Sequence, residues 1–295
     1  MGIEERRGRA IVKAHMNTSA KSKLLLFASI MPFALSGCSN RGGPTVDVKD
    51  APAFIEGEYV DFSEGDTRVF DVSDDYSNGN PFGCVWSRRN AVYTNDCFEL
   101  SITKEEDTFY GGEQRSRGEE GRFLYGYFGC YMKPAKVAGT VSTFFTYTGP
   151  YENCPHDEID IEFLGKDTTS VQFNYFANGS HGNEYIYELG FDASEEYHQY
   201  GFYWGKNEIV WYVDLKPVYK ASKGIPNTPG RIFQNCWCGD PTNGSIIGWM
   251  GSLEEDKLPA VAQYQKLTYA DIEGKNVAER ELPPPLPLDS ASDIK

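Results

Sequence analysis

One stretch limits what this chain can become: His156-Asp157-Glu158-Ile159-Asp160-Ile161-Glu162-Phe163-Leu164-Gly165. Read with a period of two, Glu158, Asp160 and Glu162 point one way, while Asp157, Ile159, Ile161 and Phe163 point the other. The β-branched residues and the closing Gly165 favour a strand. A helix would scatter the three acids, because positions i and i+2 diverge on its surface. On a strand they form a like-charged row along one sheet face, which costs stability. A solvated acidic face is the plain alternative, but sheets seldom place three acids on alternate positions.

Glycosidic bond cleavage is a chemistry that needs such a row. Retaining glycosidases use two carboxyl groups about 5–5.5 Å apart, one as nucleophile and one as acid/base. On a strand the Cα atoms of Glu158 and Glu162 are about 13 Å apart, at ~3.3 Å per residue. Long side chains leaning inward around a sugar can close much of that gap. Asp160 lies between them and can hold or pass a proton. Repulsion within the row raises at least one pKa, as an acid working near neutral pH requires.

The Glu-Ile-Asp-Ile-Glu-Phe-Leu-Gly run resembles the catalytic signature of glycoside hydrolase family 16. The following Lys166-Asp167-Thr168-Thr169-Ser170-Val171-Gln172-Phe173-Asn174-Tyr175 is similar to the bacterial lichenases of that family, the endo-β-1,3-1,4-glucanases. The resemblance runs from about residue 54 to residue 269. It implies an all-β jelly-roll sandwich of two curved antiparallel sheets with the substrate cleft on the concave one. It also implies retaining hydrolysis of β-1,4 bonds in mixed-linkage β-glucan, with Glu158 as nucleophile, Glu162 as acid/base and Asp160 assisting.

The chain's own pattern agrees with that fold. Short alternating runs at 98–103, 124–132, 141–147, 159–164, 171–177, 185–189, 200–204, 209–213 and 232–237 read as strands. Asn78-Gly79, Asn178-Gly179 and Asn243-Gly244 read as turns between them. No long helical period appears, so a sandwich or barrel is expected. The aromatic content of 14% suits half-buried strand positions and rings that stack on sugars.

The resemblance carries further residues onto the cleft. Asn78, in Asp75-Tyr76-Ser77-Asn78-Gly79, matches a sugar-binding asparagine, although by itself it reads as a turn residue. Glu113 and Arg115 match the Gly-Glu-Asn-Arg-Ser segment; two apart on a strand, both would face the cleft and grip hydroxyls. Without the resemblance they would be a surface pair in a charged loop. Phe145 and Tyr147 share a strand face and match cleft aromatics, and Asn174, Asn235, Trp237 and Trp249 match further substrate contacts.

Three departures stand out. Lichenases commonly carry Trp where this chain has His156; His resembles the plant xyloglucan-modifying branch, and His156 is a substrate-contact candidate. Cys84 matches a family cysteine whose usual partner is Gly111 here, so the usual bridge cannot form. Gln265 stands where some relatives offer an Asp to a structural calcium, so that metal is not assured and no cofactor is expected. The remaining cysteines, Cys97, Cys130, Cys154, Cys236 and Cys238 with Cys84, allow fifteen pairings or six free thiols. Cys236-Trp237-Cys238 lacks metal spacing, as do the four scattered histidines.

The ends bear on location. Residues 24–35 form an apolar run preceded by Lys21 and Lys23, suited to a signal peptide and too short to span a bilayer comfortably. It ends in Leu35-Ser36-Gly37-Cys38, which looks like a bacterial lipobox with lipid attached at Cys38; an ordinary secretory signal is the alternative. The expected organisation is a signal peptide at 1–37, a flexible tether at 38–53, a catalytic domain at 54–271 and a Pro-rich tail at 272–295. The formal charge is −15, and removal of residues 1–37 leaves 22 basic against 41 acidic residues. Such a surface repels nucleic acid and anionic lipid but is indifferent to a neutral polysaccharide. The expected partner is therefore β-glucan, met outside the cell by a monomer that touches membrane only through the Cys38 lipid. Within the enzyme class the alternatives are a β-1,3-glucanase and a xyloglucan hydrolase or transglycosylase. Family β-1,3-glucanases usually carry an extra residue between the Asp and the second Glu, and its absence here favours the lichenase branch. A non-catalytic sugar-binding sandwich is the alternative from another class, and it would not need the acidic row.

Overall fold

The structure is a computed structural model and describes residues 48, 51–52, 59–61 (backbone only), 70–118 and 121–270. The signal segment, Cys38, the Pro-rich tail and nearly all of the tether lie outside the described residues. Within them the chain forms β1 (Tyr59–Asp61), β2 (Phe70–Val72), β3 (Val85–Trp86), β4 (Ala91–Tyr93), β5 (Phe98–Glu105), β6 (Thr108–Ser116) and β7 (Arg122–Phe123). Then come β8 (Gly126–Lys133), β9 (Thr140–Thr148), β10 (Asp157–Leu164), β11 (Ser170–Phe176), β12 (Tyr185–Glu188) and β13 (His198–Trp204). The rest are β14 (Ile209–Val213), β15 (Lys216–Ala221), β16 (Gly230–Cys238), the helix α1 (Gly244–Met250) and β17 (Ala260–Ala270).

These strands form the expected jelly-roll sandwich. The concave sheet runs β2-β6-β16-β9-β10-β11-β12, every neighbour antiparallel. The convex sheet runs β4-β5-β17-β8-β13-β14-β15, also antiparallel, with β1 beside β17. A hairpin from β5 to β6 joins the two sheets at one edge.

Alternation explains the core. Ile159, Ile161 and Phe163 of β10 are fully buried between the sheets, with Phe144 and Phe173 from neighbouring strands. Phe128, Phe202 and Trp211 meet them from the convex sheet. The Phe173 and Trp211 rings stack at 5.6 Å, and Phe163 meets Tyr200 edge-on at 4.8 Å. Each such side chain contributes about 1.5–3 kcal/mol by leaving water. Trp211 Nε1 also donates 3.1 Å to the carbonyl of Asp160, so the convex sheet fixes the height of β10.

Two local expectations need correction. The run at 124–132 is not one strand: Tyr125 (φ 63°) and Gly126 (φ 122°) turn the chain between β7 and β8, leaving Leu124 exposed. Asn243-Gly244 is not a hairpin turn but a helix start, where Asn243 Oδ1 accepts from the amides of Ser245 and Ile246. Asn178 (φ 52°) and Gly179 (φ 74°) do turn the chain after β11, in left-handed backbone that Asn and Gly tolerate.

Candidate active site

The acidic row stands on β10 at the middle of the concave sheet. Glu158 is opposite Tyr147 and Phe176, Asp160 opposite Phe145 and Asn174, and Glu162 opposite Thr143 and Gln172. With Ile159, Ile161 and Phe163 in the core, the three carboxyl groups share the face turned away from it. Asp157 secures the start of the strand. Its Oδ1 accepts from the Asn178 amide at 2.7 Å, and its Oδ2 from the amides of Asn227 and Thr228 at 2.9 Å each. The alternation places Asp157 on the core side, but nothing in its neighbourhood announces the two distant loops that it ties down.

The three acids sit in different surroundings. Glu158 Oε2 lies 2.5 Å from His156 Nε2. Glu162 Oε2 accepts from Gln172 Nε2 at 2.7 Å, and Gln172 Oε1 accepts in turn from Trp249 Nε1 at 3.1 Å. Asp160 is buried, and its Oδ2 has no hydrogen-bond partner. Burial, then the charges of Glu158 and Glu162, push the Asp160 carboxyl well above the usual carboxylate range. Burial also pushes Glu162 up to about 8, with the charges of Glu158 and Glu184 adding to it and the Gln172 amide opposing. Glu162 therefore holds a proton at neutral pH and can donate it, as a general acid must.

Around the row, the predicted residues fall into three kinds of place. Phe145 stacks on Phe233 at 5.0 Å and Tyr147 on Tyr151 at 5.8 Å, forming an aromatic cluster beside Glu158 and Asp160. Trp249, carried by α1, is half-buried 6.1 Å from the largely buried Trp237, which also packs on Phe82 at 4.5 Å. Asn78 is buried with both amide atoms lacking partners, and Arg115 buries an Nη1 that lacks one. Buried polar atoms without a protein partner are uncommon and call for one, an ordered water included.

Glu113 departs from its expectation. It is fully buried, with Oε1 accepting from Ser73 Oγ at 2.6 Å and Tyr76 Oη at 3.3 Å, and Oε2 from Asn235 Nδ2 at 3.2 Å. Burial raises its pKa despite those donors and the nearby Arg115. Both Glu113 oxygens are thus engaged by protein donors. Asn235 is likewise engaged, its Oδ1 accepting from Thr143 Oγ1 at 2.5 Å. Asn174 turns its Oδ1 to the Tyr175 amide at 2.8 Å. His156 meets Glu158 rather than open space. Gln172 and Thr143 went unpredicted, yet the period-two pattern from Asn174 and Phe145 reaches both.

The six described cysteines are all free thiols. A Cβ added at Gly111 would lie 2.7 Å from Cys84 Sγ, so the Cys84 thiol already fills the space beside that glycine. Among the described residues, no group of three or more His, Cys, Asp or Glu side chains can hold a metal ion. Gln265 is half-buried near the register shift of β17 and supplies a neutral amide there.

The chain is similar to known proteins. The profile of "Glycosyl hydrolases family 16" matches residues 78–251. A "Xylanase/beta-glucanase" of Ruminococcus flavefaciens is 45% identical over 218 residues, covering 71% of this chain but only 26% of that protein. A "Beta-glucanase" of Bacillus licheniformis is 44% identical over 229 residues, covering 77% of this chain and 86% of the relative. A solved prokaryotic β-1,3-1,4-glucanase (lichenase) derived from a mouse hindgut metagenome superposes with a TM-score of 0.66 at 42% identity, covering 73% of this chain and 99% of that one.

Proposed function

This chain belongs to glycosyl hydrolase family 16, and on that premise we propose that it cleaves β-1,4 bonds within mixed-linkage β-1,3-1,4-glucan, with retention at the anomeric carbon. The observation that carries the reading is the row on β10: Glu158 and a carboxyl at Glu162 pushed up to about 8 on one face, with buried Asp160 between them. Glu158 attacks the anomeric carbon while Glu162 protonates the departing glycosidic oxygen. A glycosyl ester on Glu158 results. Glu162, now ionised, takes a proton from water, and the water oxygen replaces Glu158 at the same carbon. Burial and the charges of Glu158 and Glu162 favour a proton on Asp160, which limits repulsion within the row.

Half-buried Trp249, with buried Trp237 beside it, provides a ring face for a pyranose unit, and buried Phe145 and Tyr147 pack beside Glu158 and Asp160. Similarity to a solved lichenase and the single residue between Asp160 and Glu162 support the mixed-linkage preference. A polymer of this kind does not cross a bilayer, so the reading places the domain outside the cell. His156 in place of the usual Trp favours xyloglucan as a second reading.

The test offers barley β-glucan, laminarin, xyloglucan and carboxymethylcellulose separately, with early products followed by proton NMR. Short β-oligosaccharides from barley glucan alone, appearing first as the β anomer, support the reading. Cleavage of xyloglucan transfers it to the second, and binding without cleavage of any polymer removes both.

A further inference from the structure

The pairing of His156 with Glu158 is built from several directions. The His156 ring stacks on Phe176 from β11 at 4.6 Å, nearly parallel at 16°. Tyr147 from β9 closes on it edge-first at 5.2 Å. The His156 carbonyl accepts from the Gly179 amide at 2.8 Å, and the next residue, Asp157, holds three further amides. Side chain and backbone are both fixed before any sugar arrives. The imidazole and carboxylate are only 9% and 14% exposed, so little solvent competes with their 2.5 Å contact.

We propose that His156 is a positioning residue for Glu158: its Nε2–H holds Oε2 and so fixes the carboxyl group for attack. The proposal rests on the reading of Glu158 as nucleophile. A carboxylate accepts, so the Nε2 of the pair donates whether the ring is neutral or cationic. The bond is strongest to a full carboxylate and weaker to an ester. Its effect is therefore asymmetric. It fixes the attacking geometry in the first half-reaction. In the second it stabilises charge returning to Glu158, as the bond from the anomeric carbon to the Glu158 carboxyl breaks, water oxygen bonds to the anomeric carbon and Glu162 takes the water's proton. The groups facing the ring are Glu158 and Asp157 from its own segment, Tyr147 from β9 and the apolar Phe176 from β11. The ring is spent on Glu158 rather than on a sugar face, so its loss should alter turnover more than substrate affinity.

The experiment compares the full chain with His156→Phe and His156→Gln on barley β-glucan and on an activated aryl β-glycoside. Phe keeps the stack and removes the donor; the Gln amide restores one. We expect kcat for His156→Phe to fall about tenfold or more while KM rises less than about threefold, with a burst of aryl release as the glycosyl-enzyme accumulates. His156→Gln should recover most of that loss. A rise in KM alone, with kcat unmoved, overturns the proposal and returns His156 to substrate contact. An independent arm follows the His156 ring nitrogens by NMR in the parent chain and in Glu158→Gln. The ring should titrate above an ordinary histidine in the parent and fall in the variant; an unchanged titration also overturns the pairing. If the parent chain cleaves no glucan, the functional reading fails while the NMR arm still decides the pairing.

Discussion

Gln172 Nε2 donates 2.7 Å to Glu162 Oε2, and it opposes the burial that lifts the Glu162 carboxyl to about 8. Because the amide favours the charged form, its removal should raise the value further. Activity that needs a protonated Glu162 is lost as pH rises through that value. Gln172→Leu is therefore expected to shift the basic limb of the pH–rate profile upward by ~0.5–1 unit, with lower kcat as Trp249 loses its Gln172 partner. A basic limb that stays in place or moves down would show that Glu162 does not set it.

The same shift has a consequence for stability. A carboxyl whose folded pKa is raised above its unfolded value favours folding fully only below the unfolded value, and that contribution is lost as pH rises through the folded value. For Glu162 the window runs from about 4.5 to about 8. Glu162→Gln removes the ionisation without changing shape. It should stabilise the fold by ~1–3 kcal/mol at pH 7 and by almost nothing at pH 4. Denaturant titrations at the two pH values check this, and an equal gain at both would trace the effect to packing instead.

The two outer carboxyl groups should fail in different ways. Glu158→Ala and Glu162→Ala are each expected to lose about 10³-fold or more in kcat on β-glucan. Added azide should rescue both on an activated aryl glycoside. The Glu158 variant lacks its nucleophile and should give the α-glycosyl azide by one inversion. The Glu162 variant still forms the glycosyl-enzyme and should give the β-azide. Exchanged stereochemistry would exchange the assigned roles.

Asp157 should matter for folding rather than chemistry. Its carboxylate satisfies the amides of Asn178, Asn227 and Thr228, which belong to segments after β11 and before β16. Asp157→Ala leaves those donors without their acceptor and should destabilise the protein by about 2–4 kcal/mol. Asp157→Asn keeps an acceptor oxygen and should cost about half as much. A loss of activity without a shift in the denaturation midpoint would contradict this division of roles.

Legibility in the sequence followed the range of the forces involved. The row of Glu158, Asp160 and Glu162 depends on strand alternation alone, so neighbouring residues reveal it. The aromatic pair Phe145 and Tyr147 is legible for the same reason. The helix under Trp249 was not, because seven residues are too few for a helical period and Asn-Gly starts a turn as readily as it caps a helix. The partners of Glu113 lie 40 and 122 residues away in sequence, so its burial could not be read locally. The contact of His156 with Glu158 lay between. The spacing was visible, but the ring's orientation depends on Phe176 and Tyr147 from two other strands.

Gly111 presents the reverse case, a departure whose meaning emerges only from packing. An added Cβ would lie 2.7 Å from Cys84 Sγ, 3.0 Å from the Cys236 carbonyl and 3.2 Å from the Trp86 ring. Gly111→Ala therefore overfills a buried site and should cost about 1–3 kcal/mol. The nearest clash is with a side chain, which can be shortened; the contact with the carbonyl cannot. Cys84→Ala alone leaves a small void and should also destabilise. Combined with Gly111→Ala, it should cost less than the sum of the two single changes, with a coupling of about 1 kcal/mol in a double-mutant cycle of denaturation free energies. Strict additivity would mean that the backbone near Cys236, not the Cys84 thiol, enforces glycine at this position.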